Sequence, residues 1–262
     1  MIGRLRTRQR HIQNALHWRP EWRITVLTAG AWIAILSSET LQGGGHGAAP
    51  AHVAHDHHNA AGQSAAASAH AWTDIPGTLP AWTLMSVAMM MPIALPAVRH
   101  TGLNSIRSRR QRAMVLFTAV YLAVWVGFGL FAQGGEHLAR QSLGLDGRTL
   151  LAATLALAAG WQLSRPKRRA LNTCRRTVPL PPVGRRADAG CIHFALTQGR
   201  RCITSCWALM LLMAVVGHVN LLWMLALAAL ISLEELTLLG RRLRRPSAAV
   251  LGLTAVAIVL GL

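Results

Sequence analysis

The chain has 262 residues, 52% of them apolar and 14% charged, and the charge is clumped between apolar runs. A soluble protein of this size spreads its charge along amphipathic elements, so the patterning excludes a soluble enzyme. The formal net charge of +18 raises nucleic acid as a partner, but the basic clumps lie between apolar segments with no recognised nucleic-acid module, and the pattern fits a bilayer instead.

A helix crossing a hydrocarbon core of roughly 30 Å needs about 20 mostly apolar residues. Seven stretches meet or approach this: Trp22 to Leu41, Leu79 to Val98, Ala113 to Ala132, Thr149 to Leu163, Cys202 to Gly217, Leu221 to Leu239 and Ser247 to Leu262. The expected fold is all-α, a polytopic transmembrane bundle of about seven spans. Residues 1–21 form a basic cytoplasmic N-terminus, 22–41 the first transmembrane helix, 42–78 an outer His-rich loop, and 79–262 a six-helix transmembrane domain with Arg-rich cytoplasmic loops. Lys and Arg are retained on the cytoplasmic side. With the N-terminus inside and the C-terminus outside, all of the 27 basic residues except Arg140 and Arg148 fall on the inner face. The first span also has the features of a signal peptide, and cleavage there leaves the orientation of the other six unchanged. The dominance of Arg over Lys suggests a GC-rich bacterial genome and a bacterial inner membrane.

The outer loop contains His46, His52, His55, His57, His58 and His70, with Asp56 among them and no Lys or Arg between Gln42 and Thr78. Imidazoles at this density collect ions such as Cu(II), Ni and Zn without a preformed cage. In the second span, Met85 and Met89 share a face beside Met90 and Met91. Three consecutive methionines cannot meet one partner, so at least one faces lipid or a different helix. Pro92 is expected to kink this helix.

Cys174, Cys191, Cys202 and Cys206 fall at the inner face or just inside the fifth span, where a reducing cytoplasm makes metal or redox roles more frequent than disulfides. From Cys202, the residues Cys206, Met210 and Met213 follow at about 40°, 80° and 20° around a helix, making a sulfur stripe that runs into the bilayer. Thiolate and thioether are soft ligands suited to Cu(I), and Arg200 and Arg201 favour the thiolate. The plainer reading is packing: Cys and Met as apolar fillers. Glu234 and Glu235, late in the sixth span, are costly unless paired, and Arg241 or Arg242 is within reach of one of them. Asn220 is placed to cap the sixth helix. The sequence contains no Ser-His-Asp order, P-loop, GxGxxG or HExxH, so no enzyme is expected.

Three blocks, WTLMSVAMMMP from Trp82, AAGWQLSRPKRRALNTCR from Ala158 and GRRCITSCWALMLLMAVVGHVNLLWMLALAALISLEEL from Gly199, carry a resemblance. The chain resembles the predicted metal-binding integral membrane proteins grouped as domain of unknown function 2182. The most specific part is the CWALM core around Trp207, followed by Asn220 and then Trp223 and Met224. The resemblance implies a multi-span bacterial membrane protein with a metal site on Cys174, Cys202, Cys206, Met85, Met89 and Met210. The chain departs from that pattern at Gln198, Ser205 and Ala170, where many members carry His or Cys, and Cys191 and His193 stand nearby as substitutes. The expectation is an inner-membrane protein that binds a transition metal ion, copper favoured, and transports or relays it, with the lipid bilayer, the metal ion and a metalloprotein or metallochaperone as partners. The alternative is a membrane scaffold or assembly factor for a metalloprotein, without transport. A third reading is an anionic-lipid or polyanion contact made by the inner basic residues.

Overall fold

The computed structural model describes residues 21–43, 75–174, 178–181, 184–216, 221–237 and 240–261. The His-rich loop, with His46, His52, His55, His57 and His58, lies outside them, as does Asn220. The described residues form eight helices and no strand: α1 (Trp22–Gly43), α2 (Ile75–Leu103), α3 (Arg110–Leu143), α4 (Gly147–Leu163), α5 (Arg165–Cys174), α6 (Gly184–Val216), α7 (Leu221–Leu236) and α8 (Gly240–Leu260). Each expected apolar stretch coincides wholly or largely with a helix, the conformation in which a segment satisfies its backbone hydrogen bonds within itself. Four segments are long and apolar enough to cross a membrane: Leu79–Leu103, Arg110–Ser142, Gly184–Val216 and Arg242–Leu260. The apolar part of α1 and all of α4 and α7 are shorter.

One region differs from the sequence expectation. The Arg-rich connection from Ser164 to Arg201, expected as a cytoplasmic loop, contains α5 and the first half of α6. Its polarity hides these helices from a search for apolar runs. They are amphipathic, with Lys167, Ala170 and Leu171 buried on α5 and Ala187, Cys191, Phe194 and Ala195 on α6, and the two helices pack together.

Helix α2 seats α1 on the bundle. It packs against α1, α3 and α7, so residues on successive sides of it all find partners. Met89, Met90 and Met91 are all buried. The helix runs unbroken through Pro80, Pro92 and Pro96.

Three indole N–H groups stitch the bundle by donating to backbone carbonyls of neighbouring helices. Trp32 reaches Ala88 at 2.9 Å, Trp82 reaches Trp125 at 3.0 Å and Trp161 reaches Thr204 at 3.0 Å. An indole N–H buried among apolar groups needs such an acceptor. Trp82 lies so close to α3 that a Cβ on Gly129 would collide with its indole ring, which only glycine avoids.

Helices α4 and α8 pack together and are tied at both ends. Arg148 Nε donates to Ile258 O at 2.8 Å, and Arg244 Nε donates to Gln162 O at 3.0 Å, which makes the pair antiparallel. Asp146 caps α4, accepting from the amides of Arg148 and Thr149 at 3.1 and 3.3 Å. Helices α3 and α6 are joined by Asp188, which receives both Arg109 and Arg112, the latter at 3.0 Å.

Candidate metal centre

Helix α6 presents Cys202, Cys206, Met210 and Met213 on one buried face, each no more than 1% exposed. Their shared face follows from the helical step. Met85 and Met89 from α2 belong to the same hydrophobic core, as does Met224 from α7. Tyr121 on α3 donates its hydroxyl to Cys202 Sγ at 3.2 Å, and its ring stacks on Phe117 with centroids 6.1 Å apart. Cys206 Sγ donates back to Cys202 O at 2.9 Å. Both thiols are free of disulfides.

Two carboxylates on α7 flank this face. Being adjacent on a helix they diverge by about 100°. Glu235 turns towards α6 and meets Ser205 Oγ, which also lies 2.8 Å from Cys202 O. Glu234 turns the other way and forms a buried ion pair with Lys167 of α5, Nζ to Oε2 at 2.6 Å, while Gln162 Nε2 donates to Glu234 Oε1 at 2.9 Å. The cation that meets Glu234 is thus Lys167, where the sequence had suggested Arg241 or Arg242.

Not every expected ligand is near this cluster. Cys191 is buried on the same side of α6 but eleven residues earlier, about 16 Å along the axis, beside Arg109 and Asp188. His193 follows Cys191 by about 200° of helical turn and is exposed. Cys174 ends α5. Trp207 is partly buried and packs edge-on against Trp161, ring centroids 5.0 Å apart, while Trp223 is partly buried on α7.

Sequence reasoning missed Tyr121, Gln162, Lys167 and Ser205 as members of this neighbourhood. Two carried a signal: Tyr121 is the only tyrosine of the chain and Lys167 the only lysine among 27 basic residues. A residue type used once and then buried marks a place where its particular chemistry is needed.

Among the described residues, no three His, Cys, Asp or Glu side chains converge closely enough to hold a metal ion. The donors gathered here are instead two thiols with thioethers in the surrounding core. That set falls short of the four ligands of a structural zinc site and suits a soft ion that accepts few ligands, Cu(I).

The class defined by fold and site is a helical bundle, with several membrane-length apolar helices, around a sulfur-rich buried face. A sequence family described as PpoB2 copper chaperone matches residues 79–258, and the chain belongs to that family. No curated protein and no solved structure matches the chain.

Proposed function

We propose that this protein is an integral membrane copper chaperone, which takes Cu(I) onto Cys202 and Cys206 and passes it to a metalloprotein partner. The observation that carries the reading is the buried thiol pair on α6, with Tyr121 donating to one sulfur and methionines on the same face. A pair of thiols holds a soft cation tightly, and thioethers beside it offer weaker successive ligands through which the ion is exchanged. Tyr121 orients Cys202 by its hydrogen bond, the kind of outer-shell contact that fixes ligand geometry. The family supports copper as the ion.

Membrane insertion is supported by the four long apolar helices and by large apolar side chains on the outer surface, among them Phe131, Leu222, Leu253 and Val259, each at least 70% exposed. The full topology is seven spans with the N-terminus inside, the shorter helices α1, α4 and α7 crossing as tilted or flank-assisted spans in a bacterial inner membrane. In this arrangement the His-rich segment gathers copper outside and the thiol pair receives it within the bilayer, so the protein relays the ion inwards or outwards according to where its partner docks.

The test is Cu(I) titration of the detergent-purified chain against a colorimetric Cu(I) chelator, for wild type and for the Cys202→Ser/Cys206→Ser variant. About one Cu(I) per chain, lost in the variant while helix content is unchanged, supports the assignment. Equal copper in both proteins overturns it.

A further inference from the structure

A second site lies on the opposite flank of α6 from the Asp188 anchor, in a cleft between α5 and α6. Arg169 and Thr173 line it from α5, and Thr197, Arg200, Arg201 and Thr204 from α6, around a volume of about 380 Å³. That is within the range of roughly 300–1,000 Å³ common to small-molecule sites, at its small end. No Asp or Glu lines the cleft, and Arg169 and Arg200 have no carboxylate partner among the described residues. Arg201 is steadied by donating Nη1 to Thr173 O at 3.2 Å. The hydroxyls of Thr173 and Thr204 already donate to Ala170 O and Arg200 O, at 2.9 and 2.8 Å, so recognition rests on the guanidinium N–H groups.

The geometry points to a binding site for a phosphate-bearing anion. The guanidinium groups of Arg169 and Arg200, in a concavity with no Asp or Glu in its lining, match the fork geometry and charge of phosphate oxygens. The depth of the cleft matters as much as its charge. It straddles the point where α6 passes from the basic pair Arg200–Arg201 to the apolar run that starts at Cys202, which is headgroup depth for a helix entering a bilayer from its basic side. A lipid phosphate and a free phosphate share the required chemistry, and the cleft offers both the same three cations.

The experiment uses the full chain purified in detergent. Native mass spectrometry reads binding of dioleoyl phosphatidylglycerol against dioleoyl phosphatidylcholine, and calorimetry reads binding of inorganic phosphate. Each is repeated on Arg169→Gln/Arg200→Gln, and on Arg165→Gln/Arg168→Gln, which removes equal charge from exposed positions of α5 outside the cleft. The expected result is binding of phosphatidylglycerol in preference to phosphatidylcholine, weakened about tenfold by the cleft variant and little by the other. Phosphate binding with the same variant pattern assigns the site to free anions as well, and phosphate binding alone assigns it to them outright. Equal weakening by the two variants, or no preference for phosphatidylglycerol together with no phosphate binding, overturns the proposal.

Discussion

Glu234 and Glu235 are chain neighbours on α7, yet they open onto two regions of opposite character. On the Glu234 side, Lys167, Gln162 and the Arg244 bond to the Gln162 carbonyl form a buried polar knot joining α4, α5, α7 and α8. On the Glu235 side lie Ser205, the two thiols, Tyr121 and the methionine-rich core. The first region holds formal charge away from water and tolerates it only because every charge is met; the second holds polarisable sulfur, which packs as an apolar group until an ion arrives. The comparison teaches which buried groups lock the fold and which are left to act. The knot is a latch that seats α5 on the bundle, and the sulfur face is the surface proposed to hold copper.

Breaking the latch has the largest expected effect. Lys167→Met leaves Glu234 buried without its cation and is expected to cost about 3–5 kcal/mol. Urea unfolding in micelles, followed by far-ultraviolet circular dichroism, measures it. Adding Glu234→Gln to that variant removes the orphaned charge, and most of the loss should return with copper binding intact; a double variant as unstable as the single one would show that the pair does not act as a unit.

The next effect tests the packing that holds α2 against α3. Gly129→Ala forces its new methyl into Trp82, and overpacking of this kind costs about 1–3 kcal/mol. The same unfolding assay reads it, and Trp82→Phe in the Gly129→Ala background should recover part of the loss by withdrawing the indole edge.

On the sulfur side the expected change is in binding rather than stability. Tyr121→Phe keeps the stacked ring and removes only the donor to Cys202, so Cu(I) affinity should fall by about tenfold, at the low end of outer-shell effects. Chelator competition measures the fall, with thermal unfolding as the control. Unchanged affinity would leave Tyr121 a packing residue.

The smallest effect is local to the start of α4. Hydrogen bonds from the Thr149 side chain and backbone hold the Asp146 carboxyl below its usual range. A carboxylate with a depressed pKa adds stability above its unfolded value and loses it as pH falls through the lower folded one. The protection factors of the Arg148 and Thr149 amides, taken against the intrinsic exchange rate at each pH, should therefore fall in acid, and Asp146→Ala should show that lower protection at neutral pH without altering copper binding.

Much of the helix layout was legible because apolar runs are local properties, and the stripe from Cys202 to Met213 was legible because a helix repeats every 3.6 residues. Helix α5 and the start of α6 escaped because their burial rests on one amphipathic stripe within Arg-rich sequence. His193 looked like a neighbour of Cys191 by sequence distance, although two residues along a helix turn a side chain to the far face. Glu234 was recognised as needing a partner, but Lys167 was hidden among the arginines around it.

Sequence alone determined where the apolar helices lie and which face of α6 carries sulfur, since both follow from the order of residues along one helix. Only the tertiary structure decided that Tyr121, 81 positions before Cys202, would meet its thiol, and that Gln162, 72 positions before Glu234, would join Lys167 around one carboxylate. The reason is physical: a helix fixes the directions of its own side chains, while the partner each one meets depends on how separate helices pack.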